Sequence, residues 1–378
     1  MTAASPLDAH LDDAQRALLT DTTALAADVL APLAAAGREG AVNPPLLAGL
    51  AEHGLLDRLL VDEPSAMALC LIREGLARAC TEAETAFAVQ GLGAFPILRS
   101  GRAEVVDAWL PQLVAGEGAA GFALTEPEAG SDVAALALAA ERVDGGFRLR
   151  GEKAWISNAP DAIVYTVFAR TTPGAGARGL TAFAVPGDSE GLRGEPLELV
   201  SPHPIGRLAF DGVLVADEQV LGEVDGGFRV AMDTLNLFRP SVGAFAVGMA
   251  RAALDAAVAH AAERRAFGRP LADFQAVSHR LAEIATRVQA ARLLVYQAAS
   301  AYDQGLRPVT QAAAMAKLMA TEVAQQAVDA AIQVHGAQAL ERGHLLEHLY
   351  REVRAPRIYE GASEIQREII ARALFRSA

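Results

Sequence analysis

The spacing of apolar positions changes texture twice along the chain. In residues 1–121, Ala and Leu recur at helical intervals, most clearly over 15–36, 66–79 and 104–114, with Pro44-Pro45 and Pro64 as punctuation. From about 122 to 222 the runs shorten. Asp144-Gly145-Gly146 marks a turn, and residues 147–156 alternate, Phe147 and Leu149 interleaved with Arg148, Arg150 and Lys153. Residues 162–169, 180–185 and 208–215 are short runs rich in β-branched and aromatic residues. This predicts a small antiparallel sheet or barrel. After Asp225-Gly226-Gly227 long helical periods return. Phe274, Val277, Leu281, Ile284, Val288, Ala291, Val295, Ala298 and Tyr302 form one stripe. Met315, Leu318, Met319, Val323, Ala327, Ala331 and Ile332 form a second, which Gly336 should end. Ile365, Ile369 and Leu374 form a third, starting at Ser363 with Gln366 at capping-box spacing. Helices, then strands, then helices predict an α+β chain, mostly α: an N-terminal helical domain (1–121), a middle antiparallel β-barrel (122–222) and a C-terminal helical bundle (223–378).

One motif works against this reading and fails on physical grounds. Gly174-Ala175-Gly176-Ala177-Arg178-Gly179 matches the dinucleotide string G-x-G-x-x-G. That string binds a pyrophosphate only where a helix follows, because the helix N-terminus supplies the dipole. Here a strand-like run, 180–185, follows and Pro186-Gly187 closes it. A hairpin connection is expected instead.

Four other segments carry chemistry. In Phe122-Ala-Leu124-Thr125-Glu126-Pro127-Glu-Ala-Gly130-Ser131-Asp132, Pro127 and Gly130 force irregular backbone and free N–H groups. Such a loop suits a polar ring edge or a phosphate, and equally an ordinary capped turn. In Gly151-Glu152-Lys153-Ala154-Trp155-Ile156-Ser157-Asn158, Trp155 reads either as a core aromatic or as a wall beside a flat cofactor. In Glu263-Arg264-Arg265-Ala266-Phe267-Gly268, basic residues end a helix, as dipole partners or pyrophosphate ligands. In Arg357-Ile-Tyr359-Glu360-Gly361-Ala-Ser363-Glu364-Ile-Gln366-Arg367, Gly361 interrupts the helical pattern just before Ser363. Glu360 therefore sits in a short connection, either as a surface carboxylate or facing a cavity.

Composition narrows the field. Hydrophobic residues make up 52% of 378, enough for a large core, and the formal net charge of −13 disfavours nucleic acid or an anionic membrane as partner. Cys70 and Cys80 are expected as buried thiols rather than a disulfide or metal site, in keeping with a cytoplasmic location. No metal site is expected. Residues 1–13 hold three acidic residues and no apolar run, so no signal peptide is read there. No uninterrupted, uncharged membrane-spanning stretch is expected either.

Together the four segments resemble the acyl-CoA dehydrogenase family, of the short- and medium-chain type. The matches are Thr-Glu-Pro-x-Ala-Gly-Ser-Asp, Gly-Glu-Lys-x-Trp-Ile-Ser-Asn, Glu-Arg-x-x-Phe-Gly and Ile-Tyr-Glu-Gly-x-Ser-Glu-Ile-Gln-Arg, over about residues 85–372. The resemblance implies N-terminal helices, a middle barrel and a four-helix bundle, with FAD in a groove between barrel and bundle. It also implies a homotetramer built as a dimer of dimers, a place in fatty acid metabolism, and an electron-transfer flavoprotein as electron acceptor. The implied reaction is α,β-dehydrogenation of an acyl-CoA to the trans-2-enoyl-CoA, Glu360 removing the α-proton while hydride passes to flavin N5. An oxygen-reacting oxidase, or a catalytically silent flavin-binding protein, are the competing readings.

Carried over residue by residue, the resemblance places Phe122, Leu124, Thr125 and Ser131 on the flavin, Thr125 at its pyrimidine edge, with Ser131 also reaching CoA. Trp155, Ile156 and Ser157 would flank the ring. Arg264, Gln275 and the segment from Gln333 through Gly336 to Ala337 would meet the FAD of a neighbouring subunit. Arg239 would contact CoA, Tyr359 and Gly361 the substrate, and Ser363 and Glu364 the adenosine side of FAD. Phe238 occupies the position where some members carry the base and cannot abstract a proton, which strengthens the assignment of Glu360. Departures from the family pattern are Ala362 for Thr, Ala337 for Gly, a short 201–207 segment, and Val61-Asp62-Glu63-Pro64 in place of a glycine-rich loop. They bear on acyl specificity and FAD contacts.

Overall fold

Local capping starts the first helix. The Asp12 carboxylate accepts the Gln15 N–H at 2.8 Å, and the Gln15 side chain accepts the Asp12 N–H at 3.1 Å. The structure, a computed structural model, describes residues 6–376. From there α1 (Asp13–Leu25) passes through a π-helical turn into α2 (Ala31–Ala36), and α3 (Pro44–Glu52) and α4 (Leu55–Leu59) follow. α5 (Ala66–Ala79) is capped twice. Ser65 accepts the Ala68 N–H, and the distant Asp303 carboxylate takes the N–H groups of Ala66 and Met67. Then come α6 (Thr81–Ser100) and α7 (Ala103–Val114). Gly91, Gly93 and Pro96 hide α6 from periodicity. These glycines are packing points: a Cβ on Gly93 would lie 2.7 Å from the Gly121 nitrogen.

The strands are β1 (Ala120–Ala123), β2 (Ala139–Val143), β3 (Gly146–Ser157), β4 (Val164–Arg170), β5 (Leu180–Pro186), β6 (Leu192–Pro196), β7 (Ile205–Ala216) and β8 (Val220–Leu221). They form one sheet in the order β6-β7-β3-β2-β4-β5-β8, with β1 also on β4. The expected antiparallel pairing needs one refinement: β4 pairs in parallel with both β1 and β2. The glycine-rich 174–179 segment runs into strand β5 and not into a helix, so it offers no pyrophosphate cradle.

α8 (Gly227–Glu263) is followed by a two-stranded hairpin, β9 (Arg265–Ala266) and β10 (Arg269–Pro270), then α9 (Gln275–Asp303), α10 (Thr310–His335), α11 (Leu345–Glu352) and α12 (Ser363–Arg376). The chain gathers into two compact units. One comprises Met1–Asp28, Ser65–Glu84 and Asn236–Ala378; the other comprises Val29–Pro64 and Thr85–Leu235. The linear zones read from sequence differ from these units because the N-terminal helices divide between the two cores.

In the helical unit α9 packs on α10 and α5, and α10 on α12. Glycines let α8 approach closely: a Cβ on Gly243 would meet Val295 at 2.7 Å, and one on Gly248 the Glu74 carbonyl at 2.6 Å. The predicted α9 stripe is buried at Leu281, Ile284, Val288, Ala291, Val295 and Ala298. The α10 stripe needs correction. Val323, Ala327 and Ala331 of the stripe are buried as expected, but Met315, Leu318 and Met319 are only half-buried, and in that first half of the helix the buried face is Ala313, Ala316, Lys317 and Ala320. Small residues let the helices pack closely, which pushes the long side chains to the flank. In α12 likewise Leu374 is exposed. Among the described residues two helical stretches, Asp13–Ala36 and Gly227–Glu263, are long and apolar enough by composition to cross a membrane, although charged residues interrupt both, as the sequence expectation requires. The second is 67% buried in protein over its most apolar window, as a core helix is. Cys70 and Cys80 are free and buried.

Candidate active site

The segment before α12 cannot stay helical. Glu360 has φ +51° and Gly361 φ +92°, so the chain turns through left-handed backbone at both residues. Glycine adopts this freely, but a glutamate is strained there by about 1–2 kcal/mol. Neighbouring side chains hold it. Arg239 Nε, from α8, donates to the Glu360 carbonyl at 3.2 Å. Gln366 Nε2, from α12, donates to the same carbonyl at 3.3 Å and to the Gly361 carbonyl at 2.8 Å. Lys317 Nζ, from α10, donates to the carbonyls of Tyr359 and Gly361, both at 2.5 Å.

These bonds correct the capping box expected at Ser363 and Gln366. The Gln366 amide serves the strained turn, and the Ser363 hydroxyl donates to Glu322 Oε1 at 2.7 Å. Glu322 also pairs with Arg357 at 2.9 Å, which ties the two sides of the connection to α10.

The Glu360 carboxylate lies half inside the protein. Its Oε2 is closed to solvent and has no hydrogen-bond partner. Its backbone N–H likewise bonds to no group of the chain among the described residues. Burial raises the Glu360 pKa, opposed by the nearby Arg73, Lys317 and Arg239. Desolvation wins because none of these cations bonds the carboxylate directly. Arg73, on α5, is itself committed: it bonds Glu84 and donates to Ser241 Oγ at 2.6 Å. Sequence reading missed Arg73, Glu84 and Lys317, and read Gln366 only as a cap.

The other predicted residues of this unit are spread differently. Tyr359 and Gly361 flank the base; Glu364 is exposed on the first turn of α12. Arg264, Gln275, Gln333 and Gly336 are all exposed, at the end where α8 stops, α9 starts and α10 stops. His260 and His335 stack at this end, ring centroids 4.1 Å apart, and His344 meets His335 edge-on.

The strand unit builds its own constellation. Lys153 on β3 is fully buried and donates to Glu126 Oε1 and to the Leu124 carbonyl, both at 2.8 Å. The Glu126 carboxylate also accepts the N–H groups of Ala137 and Leu138 at 2.6 and 2.9 Å. Burial pulls the Lys153 ammonium down to about 8, against the pull of Glu126. Thr125, between the two anchored residues, is thereby fixed, and its carbonyl accepts the Ala154 N–H at 3.0 Å. The β3–β7 register slips between Lys153 and Ile156, and Trp155 has φ +55°. This bulge turns Trp155 outward, 46% exposed, between the buried Ala154 and Ile156. Ile156 departs from expectation: its side chain belongs to the core, and only its backbone can meet a ligand. Phe122 is half-buried against Phe168, Leu124 half-buried, and Ser131 exposed.

These residues suit a flat ligand with a polar rim. Trp155 presents a bare indole, and the hydroxyls of Thr125 and Ser157 bond to no other group among the described residues. Comparison with known proteins agrees. The patterns of the acyl-CoA dehydrogenase N-terminal, middle and C-terminal domains match residues 12–117, 121–213 and 225–375. The cyclohexane-1-carbonyl-CoA dehydrogenase of Geobacter metallireducens is 34% identical over 372 residues, 96% of this chain and 97% of that one. The chain belongs to the acyl-CoA dehydrogenase family. A solved structure reported as the electron transferring flavoprotein of Acidaminococcus fermentans superposes with a TM-score of 0.91 at 30% identity, covering 97% of this chain and 99% of that one. The FAD complex of PigA gives 0.91 at 27%, with the same coverage. This acyl-CoA dehydrogenase is thus a flavin-dependent oxidoreductase with FAD as cofactor.

For Trp155 the geometry makes a specific forecast. Trp155→Gly relieves left-handed strain at a half-exposed side chain, so the melting temperature of the apo-protein should change little. FAD affinity should weaken about threefold to tenfold, the value of one aromatic stacking contact. Titrating FAD into the apo-variant and recording its melting curve checks both; unchanged affinity would remove Trp155 from the cofactor site.

Proposed function

We propose that this acyl-CoA dehydrogenase converts an acyl-CoA thioester to its trans-2-enoyl-CoA, with Glu360 as the α-proton base. The carrying observation is the state of Glu360: a carboxylate oxygen closed to solvent, without a partner, on a backbone held in place by three side chains. A base needs a free lone pair, and a carboxylate already bonded to an Arg or Lys would lack it. Burial also makes it a stronger base than a free glutamate. Its unbonded N–H is available to the thioester oxygen, where negative charge develops as the proton leaves. Bound FAD would supply the acceptor for the hydride that leaves the β-carbon.

On this reading Thr125, Trp155 and Ser157 hold the flavin ring, while Phe122, Leu124, Ser131, Ser363 and Glu364 contribute further contacts. Arg264, Gln275, Gln333 and Gly336 would serve the FAD of a neighbouring copy in a homotetramer; their common exposed position at one helical end supports this. Arg239, Tyr359 and Gly361 would meet the substrate. An electron-transfer flavoprotein is the proposed electron acceptor, and the likeness to the Acidaminococcus fermentans chain supports it. A cytoplasmic setting fits the two free thiols.

Anaerobic titration of the yellow protein with acyl-CoAs of increasing chain length tests the reading. Bleaching by some members of the series is expected; a spectrum indifferent to all of them contradicts it. The pH dependence gives a second check. Only ionised Glu360 accepts a proton, and its pKa lies above the ordinary 4.5. The acid limb of kcat/KM should therefore have its midpoint above 4.5, activity falling as the pH drops through it. A rate that stays level through the ordinary carboxylate range would rule Glu360 out.

A further inference from the structure

We infer that Lys317 is a positioning residue for the base: its ammonium bridges the two peptide carbonyls that bracket Glu360 and locks the left-handed turn carrying the carboxylate. The inference rests on the reading of Glu360 as the base. Lys317 is 1% exposed on α10, among buried residues that are mostly alanine with Thr321 one turn on, where a lysine has no reason to be buried for packing. Its Nζ reaches both Tyr359 O and Gly361 O at 2.5 Å, one residue before and one after Glu360. A cation tying residues i−1 and i+1 removes the freedom of residue i to relax out of φ +51°.

The alternatives are weaker. Arg239 holds only the Glu360 carbonyl, at 3.2 Å, and Gln366 holds the carbonyls of Glu360 and Gly361, at 3.3 and 2.8 Å, so neither reaches the residue before the base. Neither spans it.

The same ammonium also acts on the carboxylate through space. It is one of three cations that hold the Glu360 pKa down against burial, with Arg73 from α5 and Arg239 from α8. Glu84 from α6 faces Arg73, and the Tyr359 hydroxyl shares this environment. Burial pulls Lys317 itself down to about 8, with Glu360 raising it and Arg239 lowering it further. Lys317 therefore does two separable things: it fixes where the base points, and it sets how readily the base ionises.

Lys317→Met and Lys317→Arg separate these roles from general stability. In Lys317→Met, hydrogen exchange by mass spectrometry should rise in peptides covering 358–362, with protection elsewhere unchanged. The kcat should fall about tenfold to a hundredfold, the effect of a misplaced reacting group, while KM changes little. The acid limb should move up by about one pH unit, because one favourable charge is lost. Lys317→Arg keeps the charge and should leave the acid limb in place with most of the rate. An acid limb that stays put in Lys317→Met, or exchange at 358–362 equal to wild type, overturns the inference. A Glu360→Gln variant that still turns over would instead overturn the base assignment, while the exchange result for Lys317 stands on its own.

Discussion

Glu360→Gln should retain the fold and its FAD but lose turnover by on the order of a thousandfold or more, within the range for removing a general base. Glutamine keeps the shape and both carbonyl contacts of the turn, since Arg239 and Gln366 bond the backbone of residue 360 and not its side chain. It cannot accept a proton. Stability gives an independent sign. Burial raises the Glu360 pKa, so the folded protein holds that proton more tightly than the unfolded chain does. Above the unfolded value the ionised form therefore costs stability, and the neutral amide should leave the melting temperature at neutral pH level or slightly higher. Stopped-flow reduction by acyl-CoA, alongside thermal melting, reads both effects. Loss of rate with a lowered melting temperature would point to a structural role; a wild-type rate would end the assignment.

The second large effect lies in the strand unit. Lys153→Met should lower stability by about 3–5 kcal/mol, the cost of leaving one partner of a buried pair unmatched. The Glu126 carboxylate would keep the Ala137 and Leu138 N–H groups but lose its charge partner, Lys153. The Leu124 carbonyl would lose its donor as well. The Leu124–Glu126 segment would loosen, and Thr125 with it, so FAD retention should fall together with the melting temperature. Adding Glu126→Gln should recover much of the loss, because it removes the stranded charge. A double-mutant cycle on melting temperature measures the coupling. Equal losses in the single and double variants would mean that the pair contributes only packing.

Much of this architecture was legible because it follows from spacing. The α9 stripe needed nothing but its three-and-four steps, and Gly336 ends α10 through its positive φ, as a C-terminal glycine does. The strand after Gly179 exposed the dinucleotide string as a decoy. The illegible parts share one cause: they depend on partners far apart in sequence. Lys317 falls beside Met315, Leu318 and Met319, which draw the apolar stripe off the buried face in the first half of α10, where tight contacts select mainly alanine. Gln366 sits at capping-box spacing, yet the strained turn at Glu360 and Gly361 claims its amide. Glu126 and Lys153 each look like solvated charges, and only the fold brings their two motifs together. Trp155 would face the core in regular alternation; a register slip that no local signal marks turns it outward. Periodicity thus locates the elements, while the charges buried between them are set by the three-dimensional fold.

The central claim is that the carboxylate of residue 360 takes the α-proton. It is tested most directly by incubating the protein with an α-deuterated acyl-CoA in ordinary water, without an electron acceptor, and following the label by mass spectrometry. Wild type should wash deuterium out of the α-position, whereas Glu360→Gln, with ligand equally bound, should leave it in place. Wash-out at the wild-type rate in Glu360→Gln would mean that another group removes the proton.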